Sequence, residues 1–258
     1  MLAKRPEDRA MFRWALIILV HLHAVGQAAE IPGQIAGTVR YTGVVPPPTR
    51  ITTTDGGVIM HRDLIVDPRT QGLHHVVATL ENAPAQPKNH GAKPVLIDQR
   101  DMLFLPRVIG IRHGTPVVFE NNDICNHNVM AVSTVPANQI NVFVTQGKPF
   151  EHVFEAQKHP ISIGCSLHPW MRAWVFVVPH PWIAVTNERG EFRLSDVPPG
   201  KYNLLLRHPD AGHLERHPVE VEAGKRIDLK IEWKKIGDKE SRLACLIVEG
   251  RQRTIAMR

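Results

Sequence analysis

Aromatic residues are scarce in this sequence, at 6% with only two tyrosines, and cysteine is scarcer still, at three in 258 residues. With few rings, a sugar-binding platform of exposed aromatics has little to build on. Three cysteines cannot all pair within one chain, so at least one has another job or pairs between chains. Sustained helical periodicity is also missing from Lys93 to Val178, which excludes a helical bundle there. There is no Gly-rich phosphate loop and no nucleophile elbow, and His-Asp-Ser combinations lack any catalytic spacing. The chain therefore reads as something other than an enzyme. At 43% apolar and 22% charged it is still an ordinary folding composition.

The net charge of +6 lies mainly at the ends. Residues 1–28 hold Lys4, Arg5, Arg9 and Arg13 against Glu7 and Asp8, and the tail from Lys234 carries more basic groups than its Asp238, Glu240 and Glu249 balance. The middle is near neutral, so no basic face for nucleic acid is expected. Residues 1–28 read as a signal peptide: a basic stretch to Arg13, an apolar run from Trp14 to Val25, then Gly26-Gln27-Ala28. That run is too short to cross a bilayer, for which about 20 residues are needed, so no transmembrane segment is expected after cleavage. Export to the periplasm or outside the cell follows, and with it an oxidising compartment.

What is abundant is punctuation, with 21 prolines and 18 glycines. Short β-rich runs alternate with turns: Gln34 to Tyr41, Leu73 to Leu80, then Val95 to Asp98, Leu103 to Ile111, Pro116 to Glu120, Asn128 to Val132, Ile140 to Thr145, Phe150 to Phe154, Ile161 to Cys165 and Ala173 to Val178. A second series follows Pro181: Ile183 to Thr186, Phe192 to Leu194, Tyr202 to Arg207, Val219 to Glu222 and Ile227 to Trp233. The fold class is all-β, with antiparallel sandwiches. The stretch from Pro46 to Gly57 reads as loop, and Leu243 to Val248 as an edge strand or a short helix.

The sharpest chemistry is Cys165-Ser166-Leu167-His168-Pro169-Trp170-Met171 between two strands, with His127 upstream in Asn126-His127-Asn128. A thiolate, two imidazoles and a thioether suit one copper ion cycling between Cu(I) and Cu(II): His, His and Cys in a plane with a long axial Met is the type 1, or blue, copper arrangement. Trp170 reads as a lid over the ion or as exposed apolar surface beside His168. Cys125 lies two residues before His127, so on a strand both point the same way. Cys125, His127, Cys165 and His168 could then hold tetrahedral zinc instead; Cys125 could equally pair with Cys245 or sit buried as a small hydrophobe.

On these residues the segment 93–180 resembles the cupredoxins, the family of plastocyanin, amicyanin and pseudoazurin. The resemblance implies a Greek-key sandwich, copper ligands His127, Cys165, His168 and Met171, an Asn128 that ties the two ligand loops together, and Ser166 as the hydroxyl residue after the ligand Cys. It also implies electron transfer to a redox partner protein docking near His168. Thr186 to Leu194 followed by Val197-Pro198-Pro199-Gly200-Lys201-Tyr202 resembles the carboxypeptidase regulatory-like, transthyretin-related sandwich, part of a carbohydrate-binding-like fold group. That resemblance implies a discontinuous module of 34–82 with 181–234, into which 93–180 is inserted; the charge count leaves a basic tail at 235–258. Residues 34–82 could instead be extra strands of the copper domain. Glycan binding would follow from fold analogy alone, since Tyr202 and Trp233 are as easily core. Three functions stay open at this level: an exported electron carrier, a copper-handling protein without a redox partner, and an extracellular glycan- or protein-binding module with structural zinc.

Overall fold

The computed structural model describes residues 31–53 and 56–237. The signal peptide expected at 1–28, the apolar cluster Leu243 to Val248, Cys245 and nearly all of the basic tail lie outside the described residues. Within them the chain is all-β, with a single 3-10 turn at Pro136–Asn138 and no α-helix. No helix among them is long and apolar enough to cross a membrane.

The first strand, β1 (Gly33–Tyr41), is followed by a hairpin of β2 (Thr49–Thr52) and β3 (Val58–His61) and then by β4 (Val77–Glu81). A central run contains β5 (Val95–Arg100), β6 (Leu103–Leu105), β7 (Val108–Arg112), β8 (Pro116–Asn121), β9 (His127–Val132), β10 (Ile140–Val144), β11 (Phe150–Val153), β12 (Ile161–Gly164) and β13 (Arg172–Val178). The last series is β14 (Ile183–Val185), β15 (Glu191–Val197), β16 (Gly200–His208), β17 (His213–Val221) and β18 (Arg226–Trp233).

The central run makes a sheet of order β10-β9-β12-β13-β7 and another of order β11-β8-β5-β6. Alternation drives this: β8 buries Val117, Phe119 and Asn121 and turns the residues between them outward. Both sheets contribute to one core of Ile97, Phe104, Phe119, Ile161, Ile163 and Val175. Each such side chain, fully removed from water, stabilises the fold by about 1.5–3 kcal/mol. The flanking strands make sheets of order β15-β1-β18 and β14-β4-β16-β17 around a separate core that includes Ile35, Leu80, Trp182, Leu204 and Trp233.

The two cores meet through Val77, Val108 and Phe176, with Ile183 and Val185 packed against them. Gly110 makes the approach of β7 to β14 this close, because a Cβ there would stand 2.7 Å from the Ile183 side chain. Beside this seam Arg107 Nε lies 3.0 Å from Asp210 Oδ2, off-line for a hydrogen bond, in a pair with little exposure on either side. Trp174 Nε1 donates to Asp210 Oδ1 at 2.8 Å, and Arg107 also donates to the Arg62 carbonyl at 2.7 Å. Burial holds the Asp210 carboxyl above the usual carboxylate range despite the opposing pull of Arg107.

Four segments differ from expectation. The supposed loop 46–57 supplies β2, because Thr49 to Thr52 pairs with Val58 to His61 across a polar turn. Leu103 to Ile111 is two strands rather than one: Pro106 has no N–H to give a ladder, and β6 and β7 join different sheets. Leu73 to Leu80 becomes strand only from Val77, since His75 takes a left-handed backbone at φ 66°. The strand around Val219 starts at His213, matching β16 residue for residue; Pro218 is tolerated because β17 is an edge strand.

Candidate metal centre

The ligand candidates sit at one end of the central sandwich. His127 opens β9, opposite Val144 of β10, and Cys165 follows the last residue of β12. The turn after Cys165 is pinned by its own backbone: Met171 N donates to the His168 carbonyl at 2.9 Å, and Cys165 N to the Met171 carbonyl at 3.3 Å. Three candidates three residues apart are thereby wrapped into a single tight loop before β13 begins. Met171 is fully buried in the same core as Cys165, and His127 is fully buried too, while His168 is half-buried.

Three ligand atoms converge. His127 Nδ1 lies 2.9 Å from His168 Nδ1, and Cys165 Sγ lies 3.6 Å from His168 Nδ1 and 3.9 Å from His127 Nδ1. The point equidistant from all three lies about 2.0 Å from each, close to the ~2.0–2.3 Å of metal bonds to imidazole and thiolate in proteins. The residues present therefore fit an ion held by two imidazoles and one thiolate.

The electrostatics favour the ligating form of the sulfur. Burial alone would raise the Cys165 thiol, but His127 and the backbone N–H groups of Asn128, Leu167 and His168 outweigh it and bring the thiol below its ordinary value. Burial would likewise lower His127, and the hydrogen bonds to Cys165 and Asp123 reverse that, leaving it raised. His127 thus favours the ligating form of the Cys165 sulfur, as a neighbouring cation would.

The surroundings orient the ligands. Asp123 Oδ2 lies 2.8 Å from His127 Nε2, so the proton resides on that nitrogen and Nδ1 is presented to Cys165 and His168. Asp123 also accepts from Asp101 N at 2.7 Å and from Met102 N at 3.1 Å. Asn121 holds the 121–125 loop by donating to the carbonyls of Cys125 and Val144, both at 2.9 Å. Asn128 joins the two ligand segments: its Oδ1 accepts from Ser166 N at 2.7 Å and Ser166 Oγ at 3.0 Å, while its Nδ2 donates to Asn141 at 2.7 Å. Trp170 lies tilted beside His168, ring centroids 5.3 Å apart, and is half-buried.

Sequence reasoning passed over Asp123, Asn121 and Met102. Asp123 was legible only as part of a turn, Asn121-Asn122-Asp123, and its spacing of four before His127 carries no signal on its own. Cys125 Sγ lies 3.4 Å from His127 Nε2, on the opposite side of the ring from Cys165. The two cysteines thus address different nitrogens of one imidazole, which does not match a single tetrahedral ion bound by both. His75 and His180, outside the ligand cluster, are buried. Tyr202 and Trp233 are buried as well, so neither serves as an exposed ring for a sugar.

No protein-family model matches the chain, and no curated protein matches it. Among solved structures, the purple cupredoxin of Nitrosopumilus maritimus is similar over 32% of this chain and 98% of its own, at 28% identity and a TM-score of 0.28. The Cu(I) form of an amicyanin mutant matches 39% of this chain and 97% of its own, at 21% identity and a TM-score of 0.30. The copper-containing nitrite reductase of Thermus scotoductus matches 36% of this chain at 24% identity and a TM-score of 0.30, and only 25% of that enzyme is covered. At such scores these likenesses decide nothing about this chain, whose site chemistry rests on its own atoms.

Proposed function

We propose that this chain is an exported type 1 copper protein that carries single electrons between partner proteins and catalyses no reaction of its own. The observation that carries the reading is the convergence of His127 Nδ1, His168 Nδ1 and Cys165 Sγ around a point about 2.0 Å from each. A soft thiolate suits Cu(I) and imidazoles suit Cu(II), and the ion supplies the one-electron couple when bound. The chain supplies rigidity: His127 is fixed by Asp123 and by its place in β9, and Cys165 by the Asn128 to Ser166 clamp. Burial of Cys165, His127 and Met171 keeps water away. Met171, fully buried in the same core as Cys165, would supply the thioether in this reading.

His168 is the electron gate, since it alone of the four ligands is half-buried rather than buried, and its neighbour Leu167 is 50% exposed. The strands 34–82 and 181–234 form, in the same reading, a carboxypeptidase regulatory-like module carrying the copper unit as an insertion. Export rests on the basic-then-apolar pattern of residues 1–28. Zinc is the weaker reading, because Cys125 and Cys165 face opposite nitrogens of His127.

Purified protein given one equivalent of Cu(II) is expected to show intense visible thiolate-to-copper absorption, lost in Cys165→Ser and kept in Cys125→Ser. A colourless complex, or one that loses its colour with Cys125 instead, overturns the reading.

A further inference from the structure

The outer side of His127 carries a donor set that the blue-copper reading leaves unused. Cys125 Sγ lies 3.5 Å from Met102 Sδ and 3.4 Å from His127 Nε2, and Asp123 Oδ2 lies 2.8 Å from the same nitrogen. Cys125, His127 and His168 also form a set whose ligand atoms all lie within 4.8 Å of one another. The backbone has been shaped to bring the thioether there: Asp101 and Met102 both adopt left-handed conformations, at φ 55° and 60°, and both N–H groups are held by Asp123. Unlike Cys165 and Met171, both Cys125 and Met102 are part-exposed, and Ile124 beside Cys125 is fully exposed.

A thiolate, a thioether and an imidazole at mutual reach are donors for a soft, thiophilic cation. We propose that Cys125 Sγ and Met102 Sδ, with His127 Nε2 as third donor, form a second site that takes Cu(I) from solution. It shares His127 with the buried centre but uses the opposite nitrogen. Binding converts the Cys125 thiol to a thiolate and releases its proton to solvent, with no change in oxidation state. When Nε2 ligates this ion, the His127 proton moves from Nε2 to Nδ1, so Nδ1 and Nε2 serve the inner and outer ions in turn, and the outer pair of sulfurs is the loading station for the inner centre. The proposal rests on the copper reading for its role as a loading station, but not for the site itself.

The test uses the full chain in a Cys165→Ser, Cys245→Ser background, where Cys125 is the last thiol. Anaerobic titration with Cu(I) against a competing chelator is expected to give one ion per chain, with two sulfur scatterers and a nitrogen in its X-ray absorption spectrum. Adding Met102→Leu, which keeps the volume, is expected to weaken binding at least about tenfold and remove one sulfur. Unchanged affinity and a single sulfur scatterer would overturn the site. In the otherwise native chain, Met102→Leu and Cys125→Ser are expected to keep the blue colour but load from Cu(I) more slowly than wild type. Equal loading rates would overturn the loading role, while loss of the blue centre in the native chain with one Cu(I) still held at Cys125 would sink the electron-carrier reading and leave this site standing.

Discussion

Asn128 is the residue through which the two halves of the proposed copper site are made one, and its removal has a calculable cost. Its side chain makes three hydrogen bonds, two to Ser166 and one to Asn141, from a position that is almost fully buried. Each bond contributes about 1 kcal/mol net. Ser166 and Asn141 are themselves exposed, so water can replace the lost partner and no large penalty for orphaned groups is added. Asn128→Ala should therefore destabilise the metal-free protein by about 3 kcal/mol, read as a melting temperature lower by about 6–12 °C for a body of this size. Ser166→Ala alone removes only the Oγ bond and should cost about 1 kcal/mol. In the Asn128→Ala background it should cost almost nothing, because the acceptor is already gone, giving a coupling energy of about 1 kcal/mol in a double-mutant cycle. Differential scanning calorimetry of the four proteins measures all of this. Strictly additive losses, or an Asn128→Ala variant within about 1 °C of wild type, would refute the idea that Asn128 clamps the Cys165 loop to β9.

Two other consequences concern buried charges and buried histidines. Replacing Asp210 by Asn leaves the Arg107 charge buried without its nearest carboxylate and is expected to cost about 3 kcal/mol by urea unfolding, much of which Arg107→Met should recover in the Asp210→Asn background; an Asp210→Asn variant as stable as wild type contradicts this. His75 and His208 are held neutral by burial, each with its pKa lowered from 6.5 to about 3. The unfolded chain then binds more protons than the folded one between those values, so stability falls as pH drops below 6.5, by up to about 1.4 kcal/mol per pH unit for each histidine. Urea midpoints from about pH 7 to about pH 4 should show that slope, and His208→Phe should flatten it; a slope unchanged by the substitution argues against burial as its cause.

The all-β class was legible because short alternating runs, such as Pro116 to Asn121, are separated by turn residues at regular spacing. Strand ends were less so. The sequence around Leu73 shows its β-branched residues but not the left-handed backbone of His75 that delays β4 to Val77. The hairpin of β2 and β3 was hidden because its strands are only four residues long and largely exposed, β2 is mostly polar, and pairing between partners six or more residues apart leaves no trace in a local window. At the site, ligand types three residues apart in one loop are visible to the eye, and Cys165 and His168 are of this kind. Asp123 and Met102 are not, because their place beside His127 is set by the 121–125 loop folding onto the turn after β5, a juxtaposition of segments some 21 residues apart. The burial of His180 is hidden for a similar reason: its ring nitrogen meets the Leu80 carbonyl, 100 residues away.

The central claim is that one ion sits among His127, His168 and Cys165 with strong bonding to the sulfur, and electron paramagnetic resonance of the Cu(II)-loaded protein addresses it directly. Delocalisation of the unpaired electron onto the Cys165 sulfur predicts a narrow copper hyperfine splitting, present in wild type and in Cys125→Ser and absent in Cys165→Ser. A wide splitting, typical of copper bound by nitrogen and oxygen alone, and indifferent to Cys165, would contradict it.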